Sequence, residues 1–329
     1  MQKLSQLSAV AALGMLAAIS AHADPLPSWQ DGAAKARIID FVDSVTDPSS
    51  ADYVTPSERI AVFDNDGTLW GEQPLYFQAL YAFDRLAERA AADPSILTSD
   101  ALRAGARGDV AAALAGGTEA LLEIISVSHS GMSVEEFQND VRDWLATARH
   151  PDTGLPYTSM TYQPMLELLR YLRDEGFATY IVSGGGIHFM RAFAEDAYGI
   201  PPEQVIGSAG NSRYEVVDGV PTVLKDPGIA FIDDKAGKPV GIDSKIGRRP
   251  ILVGGNSDGD FEMLEWASAG EGARLALIVH HTDAEREYAY DRGSHVGGLD
   301  RGLDEAAARG WLVVDMAEDW RRVWSGRTP

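Results

Sequence analysis

Residues 60 to 63 read Ile-Ala-Val-Phe and are followed at once by Asp64-Asn65-Asp66-Gly67-Thr68. A short apolar run with β-branched content and no polar alternation fits a strand buried on both faces, as parallel strands between helical layers are. Open α/β sheets place their chemistry at the carboxyl ends of such strands, which is where this acidic cluster falls. The two carboxylates leave the turn in different directions, so Asp64 is placed to act as a nucleophile and Asp66 to exchange protons with a leaving group or water. Gly67 permits the sharp exit turn. An Asp-rich turn without chemistry satisfies the same residues, and the remainder of the chain has to decide between the two.

Its periodicity extends the α/β pattern. Ile38, Ile39, Phe41, Val42 and Val45 mark one face of an amphipathic helix that stops at Asp47-Pro48. After the Asp64 strand, the segments from Leu75 onward, Leu102 to Leu114, Glu119 to Ile125 and Val134 to Leu145 repeat apolar residues at helical spacing, broken at Asp93-Pro94 and Gly116-Gly117. From Tyr162 helix and strand alternate, with strands expected at Ala178 to Val182, Ile251 to Val253 and Leu275 to Val279. The fold class expected is therefore α/β: a doubly wound parallel sheet as core (24–70 and 160–329) with a helical cap inserted over 71–159. The chain has no internal repeat.

Composition excludes several partners. With 329 residues, 45% of them apolar and 23% charged, this is a globular chain large enough for a core and a second unit. A formal charge of -21 argues against nucleic acid or an anionic membrane, which need a clustered positive field. Lys3, the apolar stretch Leu7 to Ile19 and Ala21-His22-Ala23 have the layout of a secretory signal, so residues 1–23 are expected to be removed and the protein to be periplasmic or secreted. There is no cysteine, hence no disulfide. A phosphorylated substrate would meet repulsion from the acidic chain, and its site must contain local positive charge.

Two further strand ends carry chemistry. Ser183-Gly184-Gly185-Gly186 sets a hydroxyl and unencumbered N–H groups before a helix, a suitable cradle for phosphoryl oxygens. Asn256-Ser257-Asp258-Gly259-Asp260 offers the hard oxygens that Mg²⁺ prefers, and it lacks the glutamate that a helix-loop-helix calcium loop would place six residues after its glycine. Three lysines lie upstream of it: Lys235, Lys238 and Lys245. His280-His281 follows a strand, but adjacent residues on extended chain point apart, and structural roles or substrate contact suit them better than metal ligation.

In order and spacing these segments resemble the haloacid dehalogenase superfamily, in its phosphatase branch, and most of all phosphoserine-phosphatase-like members with a helical cap. Asp64-Asn65-Asp66-Gly67-Thr68 matches the nucleophile motif, Ser183 the second, a lysine the third and Asn256 to Asp260 the acidic fourth. The resemblance implies an aspartyl-phosphate on Asp64, proton transfer by Asp66, phosphoryl contacts from Thr68, Ser183, Gly184 and Gly185, and Lys238 as the motif lysine, since it precedes a proline at a helix start. It implies Mg²⁺ held by Asp64, the Asp66 carbonyl, Asn256 and Asp260, with Asp258 in an open frame between the last two. Asn256 departs from the aspartate usual there, and weaker metal binding is expected from it. The function implied is hydrolysis of a small phosphomonoester. A metal-free dehalogenase, which has no use for Asp66, and a non-catalytic binding protein are the rivals. Cap arginines such as Arg85, Arg103 and Arg142 are candidates for choosing the substrate.

Overall fold

In the computed structural model, residues 23–326 are described; the signal expected over 1–23 lies, but for Ala23, outside them. Seven strands form one sheet in the order β4-β3-β2-β1-β5-β6-β7. They are β1 (Ile60–Phe63), β2 (Ala178–Gly186), β3 (Val205–Val217), β4 (Val220–Phe231), β5 (Leu252–Gly255), β6 (Leu275–His280) and β7 (Leu312–Asp315). Thirteen α-helices accompany them: α1 (Ala33–Thr46), α2 (Phe77–Ala92), α3 (Asp100–Ala106), α4 (Val110–Ala113), α5 (Thr118–His129), α6 (Val134–Thr147), α7 (Gln163–Asp174), α8 (Ile187–Met190), α9 (Ala194–Tyr198), α10 (Gly237–Ile246), α11 (Phe261–Ser268), α12 (Arg301–Arg309) and α13 (Met316–Asp319). Among the described residues no helix is long and apolar enough to cross a membrane.

Alternation along β1 explains the layering. Ala61 and Phe63 point into the cluster formed with α1 and α7, through Ile38, Val42, Leu168 and Leu172. Ile60 and Val62 point into the opposite cluster, with Ile242, Phe261, Leu264 and Ala306 from α10, α11 and α12. Both faces are covered, as a doubly wound sheet requires, and each fully buried Val, Leu, Ile or Phe side chain contributes about 1.5–3 kcal/mol. Phe63 pairs with Ile181 of β2 and Gly254 of β5, so the residues after these three positions emerge side by side at one edge. A Cβ on Gly254 would lie 2.7 Å from the Phe63 ring and one on Gly255 2.5 Å from Asp260, so β5 ends in glycines because its neighbours already fill that space.

The sheet is mixed, where a parallel one was expected. β3 and β4 are antiparallel and joined at Asp218-Gly219, both with positive φ (51° and 82°), the signature of a two-residue hairpin turn that matches strand twist. The outer half of this hairpin is exposed, and its inner half turns back to the helices between β1 and α7. There the Lys225 N–H donates to the Met132 carbonyl (2.9 Å), the Gly131 N–H to the Lys225 carbonyl (2.9 Å) and the Gly228 N–H to Ser126 Oγ (2.7 Å). Those helices share their own apolar cluster of Phe83, Leu86, Leu102 and Ile124. The roof over the strand ends is thus helices plus hairpin. Trp70 ties the roof to the core, stacked on Phe193 at 4.4 Å and edge-on to Phe77 at 4.9 Å.

Candidate active site

Three strand ends bring the expected motifs together. Asp64, 7% exposed, extends the ladder from its N–H to the Gly254 carbonyl (3.0 Å) and accepts from Lys238 Nζ at 2.8 Å. Lys238 is buried at the first turn of α10 and also donates to the Val182 carbonyl (3.0 Å) and to Asp260 Oδ1 (2.5 Å). Lys235 and Lys245 are exposed, so among the three lysines it is Lys238 that reaches the nucleophile motif. Burial disfavours its charge, but the Asp260 and Asp64 carboxylates outweigh this and hold the ammonium far into its charged form. Asp64 is pushed the other way: burial and the nearby Asp260 carboxylate raise it, with Lys238 only partly offsetting them.

Asp66 is oriented by the Trp70 indole, whose Nε1–H donates to its Oδ1 at 2.8 Å; burial raises this carboxyl despite that bond. A tight turn makes the geometry possible. The Asn65 carbonyl takes N–H bonds from Thr68, Leu69 and Trp70, and Gly67 occupies φ +72° with no room for a side chain, a Cβ there falling 2.1 Å from Asn256 Nδ2. His281, buried, has Nε2 2.8 Å from the Gly67 carbonyl and so braces the loop, while His280 faces Asp291. Across the opening, Ser183 Oγ accepts from the Gly185 N–H (3.1 Å), leaving its own proton to donate, and the Gly186 N–H is taken by Gln78 Oε1 (2.7 Å). Asp64, Asp66, Ser183, Gly184, Gly185 and Lys238 all line one cavity of about 280 Å³ under the roof.

Several expected residues are placed differently. Thr68 is fully buried and lies outside the cavity lining; its hydroxyl donates to Asn256 Oδ1 (3.0 Å), so it orients the amide instead of meeting a phosphoryl group. Asp260, also fully buried, spends Oδ1 on Lys238 and Oδ2 on the N–H groups of Asn256 (2.9 Å) and Ser257 (3.1 Å), which suits a lysine-positioning carboxylate and not the metal ligand that the motif spacing suggested. Asp258 turns away, accepting the N–H groups of Asp300, Arg301 and Gly302 and capping the start of α12. Arg85 pairs with Asp140 and Glu88, Arg103 with Asp100, and Arg142 with Asn139 and the Ala192 carbonyl, so none of the three arginines enters the cavity.

Glu72 is the residue whose weight the sequence understates. It is 1% exposed, lines the cavity, and its Oε1 accepts from Asn256 Nδ2 at 2.7 Å and from the Tyr290 hydroxyl at 2.8 Å. Burial and the Asp66 and Asp64 charges push its carboxyl well above the usual range. The one cue in sequence is its position just after the nucleophile turn.

A small hard cation fits this set. Among the described residues the Asp66 carbonyl takes no backbone N–H bond, and neither the second Asp64 oxygen nor Glu72 Oε2 accepts a hydrogen bond, so these three oxygens lack partners, whereas Asn256, expected as an oxygen ligand, has its Oδ1 bonded by Thr68 and its Nδ2 turned to Glu72. No cluster of three or more His, Asp or Glu side chains is already gathered as a ready cage among the described residues. Mg²⁺, which retains several waters and takes few protein carboxylates, is the divalent ion least dependent on such a cage.

An acidic pair, a buried lysine and a glycine-rich anion loop at the carboxyl edge of an open α/β sheet make up the equipment of a hydrolase. The chain belongs to the haloacid dehalogenase-like hydrolases, whose family model matches residues 61–265, more than half its length. A search of the curated proteins finds no match. Among solved structures, the chain is similar to a conserved functionally unknown protein from Anaerococcus prevotii (20% identity, 85% of this chain and 90% of that one, TM-score 0.51). It is also similar to a protein of unknown function from Bordetella pertussis (19% identity, 79% and 99% covered, TM-score 0.47) and to a probable phosphoserine phosphatase from Vibrio cholerae (14% identity, 84% and 64% covered, TM-score 0.41). The Anaerococcus likeness supports the fold, and the other two add no argument of their own.

Proposed function

We propose that this hydrolase is an exported phosphatase that cleaves small phosphomonoesters through Asp64 with Mg²⁺ as cofactor, residues 71–159 serving as its cap. The observation that carries the reading is Lys238, buried between Asp64 and Asp260 beside the Ser183-Gly184-Gly185 turn. A carboxylate attacking a phosphoryl dianion brings like charges together, and a fixed ammonium offsets this most effectively where water is excluded. An Asp64 oxygen would bond to phosphorus as the ester oxygen leaves, taking its proton from Asp66; Asp66 would then accept a proton from the water that frees phosphate from Asp64. Ser183 and the Gly184 and Gly185 backbone would hold the phosphoryl oxygens. A bound Mg²⁺ would neutralise charge between nucleophile and phosphoryl group. Carbon-halogen hydrolysis would leave Asp66, held by Trp70, without a task.

Phosphate release from a panel of phosphomonoesters, with Mg²⁺ or with excess EDTA, tests the reading. Mg²⁺-dependent release is expected; no release from any member, or equal rates in EDTA, overturns it. Export rests on the Lys3 to Ala23 pattern. Protein recovered from the periplasm or medium is expected to begin at Asp24, and a chain that keeps Met1 inside the cell counts against it.

The cation set yields a third expectation. With Mg²⁺ bound, an ionised Glu72, 2.7 Å from the neutral Asn256 amide, would supply the charge that an aspartate at position 256 would otherwise bring. Asn256→Asp alone would then put two carboxylates in contact and is expected to bind Mg²⁺ no more tightly than wild type. Glu72→Gln is expected to weaken binding by about 10–100-fold, and the double variant Glu72→Gln/Asn256→Asp to regain most of it. Calorimetric titration with Mg²⁺ reads all three, and an unchanged affinity in Glu72→Gln would place the ion elsewhere.

A further inference from the structure

Lys225 is a buried cation for which the proposed chemistry has no use. It lies on β4, 7% exposed, and lines the same cavity as Asp64. Its Nζ lies 3.2 Å from His188 Nδ1 and 4.4 Å from the centre of the Phe137 ring. Among the described residues no carboxylate comes within ion-pair distance of it, although the chain has 49 acids against 28 lysines and arginines. Asp226, next to it and also at the cavity, is engaged by Arg213.

The other two ammonium groups buried among the described residues differ sharply: Lys35 meets Asp24 and Asp31, and Lys238 meets Asp64 and Asp260. A buried charge without a counter-ion is costly, and a bound anion would relieve that cost. Burial pushes Lys225 down to about 8, which leaves it mostly protonated near neutrality. Its neighbours accommodate this charge by staying neutral: burial and Lys225 itself hold His129 well below the usual range and His188 down to about 4. The cavity lining that Lys225 shares with Asp64 includes the apolar side chains of Leu121, Leu122 and Ile125 of α5 with Phe189 and Ile229.

We infer that Lys225 is a specificity residue that binds a second anionic group on the substrate, so that the preferred substrate is a phosphomonoester whose alcohol carries, across a short apolar stem, a terminal carboxylate or phosphate. The inference rests on the phosphatase reading for the placement of the phosphoryl end at Asp64. The backbone of Lys225 is fixed by its two hydrogen bonds to Gly131 and Met132, and its Nζ rests against His188 and Phe137, so the ammonium has a defined place in the cavity wall. Stem length should therefore matter.

Non-hydrolysable ω-carboxyalkyl phosphonates of two to six carbons, matched ω-hydroxyalkyl phosphonates and terminal bisphosphonates test this by calorimetry in Mg²⁺ buffer. One stem length is expected to bind at least about tenfold more tightly with an anionic end than with a hydroxyl end, the scale of a charge-assisted hydrogen bond. Lys225→Met, whose side chain fills the same space on Phe137, is expected to bring that ratio close to one, and Lys225→Arg to keep part of it. The carboxylate and bisphosphonate arms tell which anion is preferred. A ratio that survives Lys225→Met, or no preference for anionic ends in the wild type, overturns the inference. Should Lys225→Met fail to fold, the ratio in Lys225→Gln decides in its place. Because binding is read without turnover, a protein that prefers anionic ends yet releases no phosphate refutes the phosphatase reading and leaves the Lys225 site standing.

Discussion

Asp64→Asn is expected to abolish turnover while leaving a folded protein that is no less stable than wild type without divalent ions. Loss of a covalent nucleophile costs about 10⁴-fold or more in kcat, because the remaining groups only bind and orient. The stability half follows from the crowding at the floor, where Asp64 and Asp260 share one buried ammonium and Asp66 and Glu72 carry further carboxyls close to Asp64. Burial and like charges raise the Asp64 carboxyl above its unfolded value, so the folded state binds its proton more tightly. Such a group costs stability as pH rises above its unfolded pKa, and a neutral amide of the same shape removes that cost. Thermal melts at neutral pH in EDTA and single-turnover assays in Mg²⁺ together check the claim. Activity within tenfold of wild type would sink Asp64 as nucleophile, and a marked fall in melting temperature would refute the crowding argument.

Asp66→Asn is expected to slow hydrolysis by about 10²–10⁴-fold, the usual range for a positioned proton-transfer group. The loss should grow as the leaving alcohol becomes more basic, because a poor leaving group depends most on receiving a proton. Aryl phosphates with activated phenols should therefore suffer least and alkyl phosphates most. Trp70→Phe, which removes the indole donor to Asp66 Oδ1, should reproduce the same slope with a smaller loss. A loss independent of the leaving group in both variants would assign Asp66 a structural task.

How far these features were legible depended on whether they were local. The strands that hold the site announced themselves as apolar runs ending in polar clusters, because a strand buried on both faces allows little else, and β1, β2, β5 and β6 lie where that pattern placed them. The β3-β4 hairpin is hard to see in sequence although Asp218-Gly219 sits between two β-branched stretches. Its exposed outer half carries Tyr214, Val216, Val220 and Val223 in the open, so the usual contrast of apolar and polar faces is absent. Lys238 could be favoured from its place before Pro239, but its burial between two carboxylates is a tertiary fact. The frame of the fourth motif stays open in sequence for the same reason: spacing offers Asp258 and Asp260 alike, and only folding commits Asp258 to cap α12 and Asp260 to Lys238. Glu72 is marked in sequence only by its place after the nucleophile turn and Lys225 by nothing local, because what they touch, Asn256, Tyr290 and His188, lies far away along the chain.

The hairpin's attachment to the roof has a consequence for the size of molecule that can be served. β3 belongs to the main sheet, β4 continues from it, and β4 in turn hydrogen-bonds Gly131 and Met132, so sheet and roof are spliced through continuous backbone. Swinging the whole roof away would break those bonds, so each opening would cost their contribution to stability. On the phosphatase reading proposed above, the roughly 280 Å³ beneath the roof would admit free metabolite-sized esters and exclude a phosphorylated side chain on a folded protein.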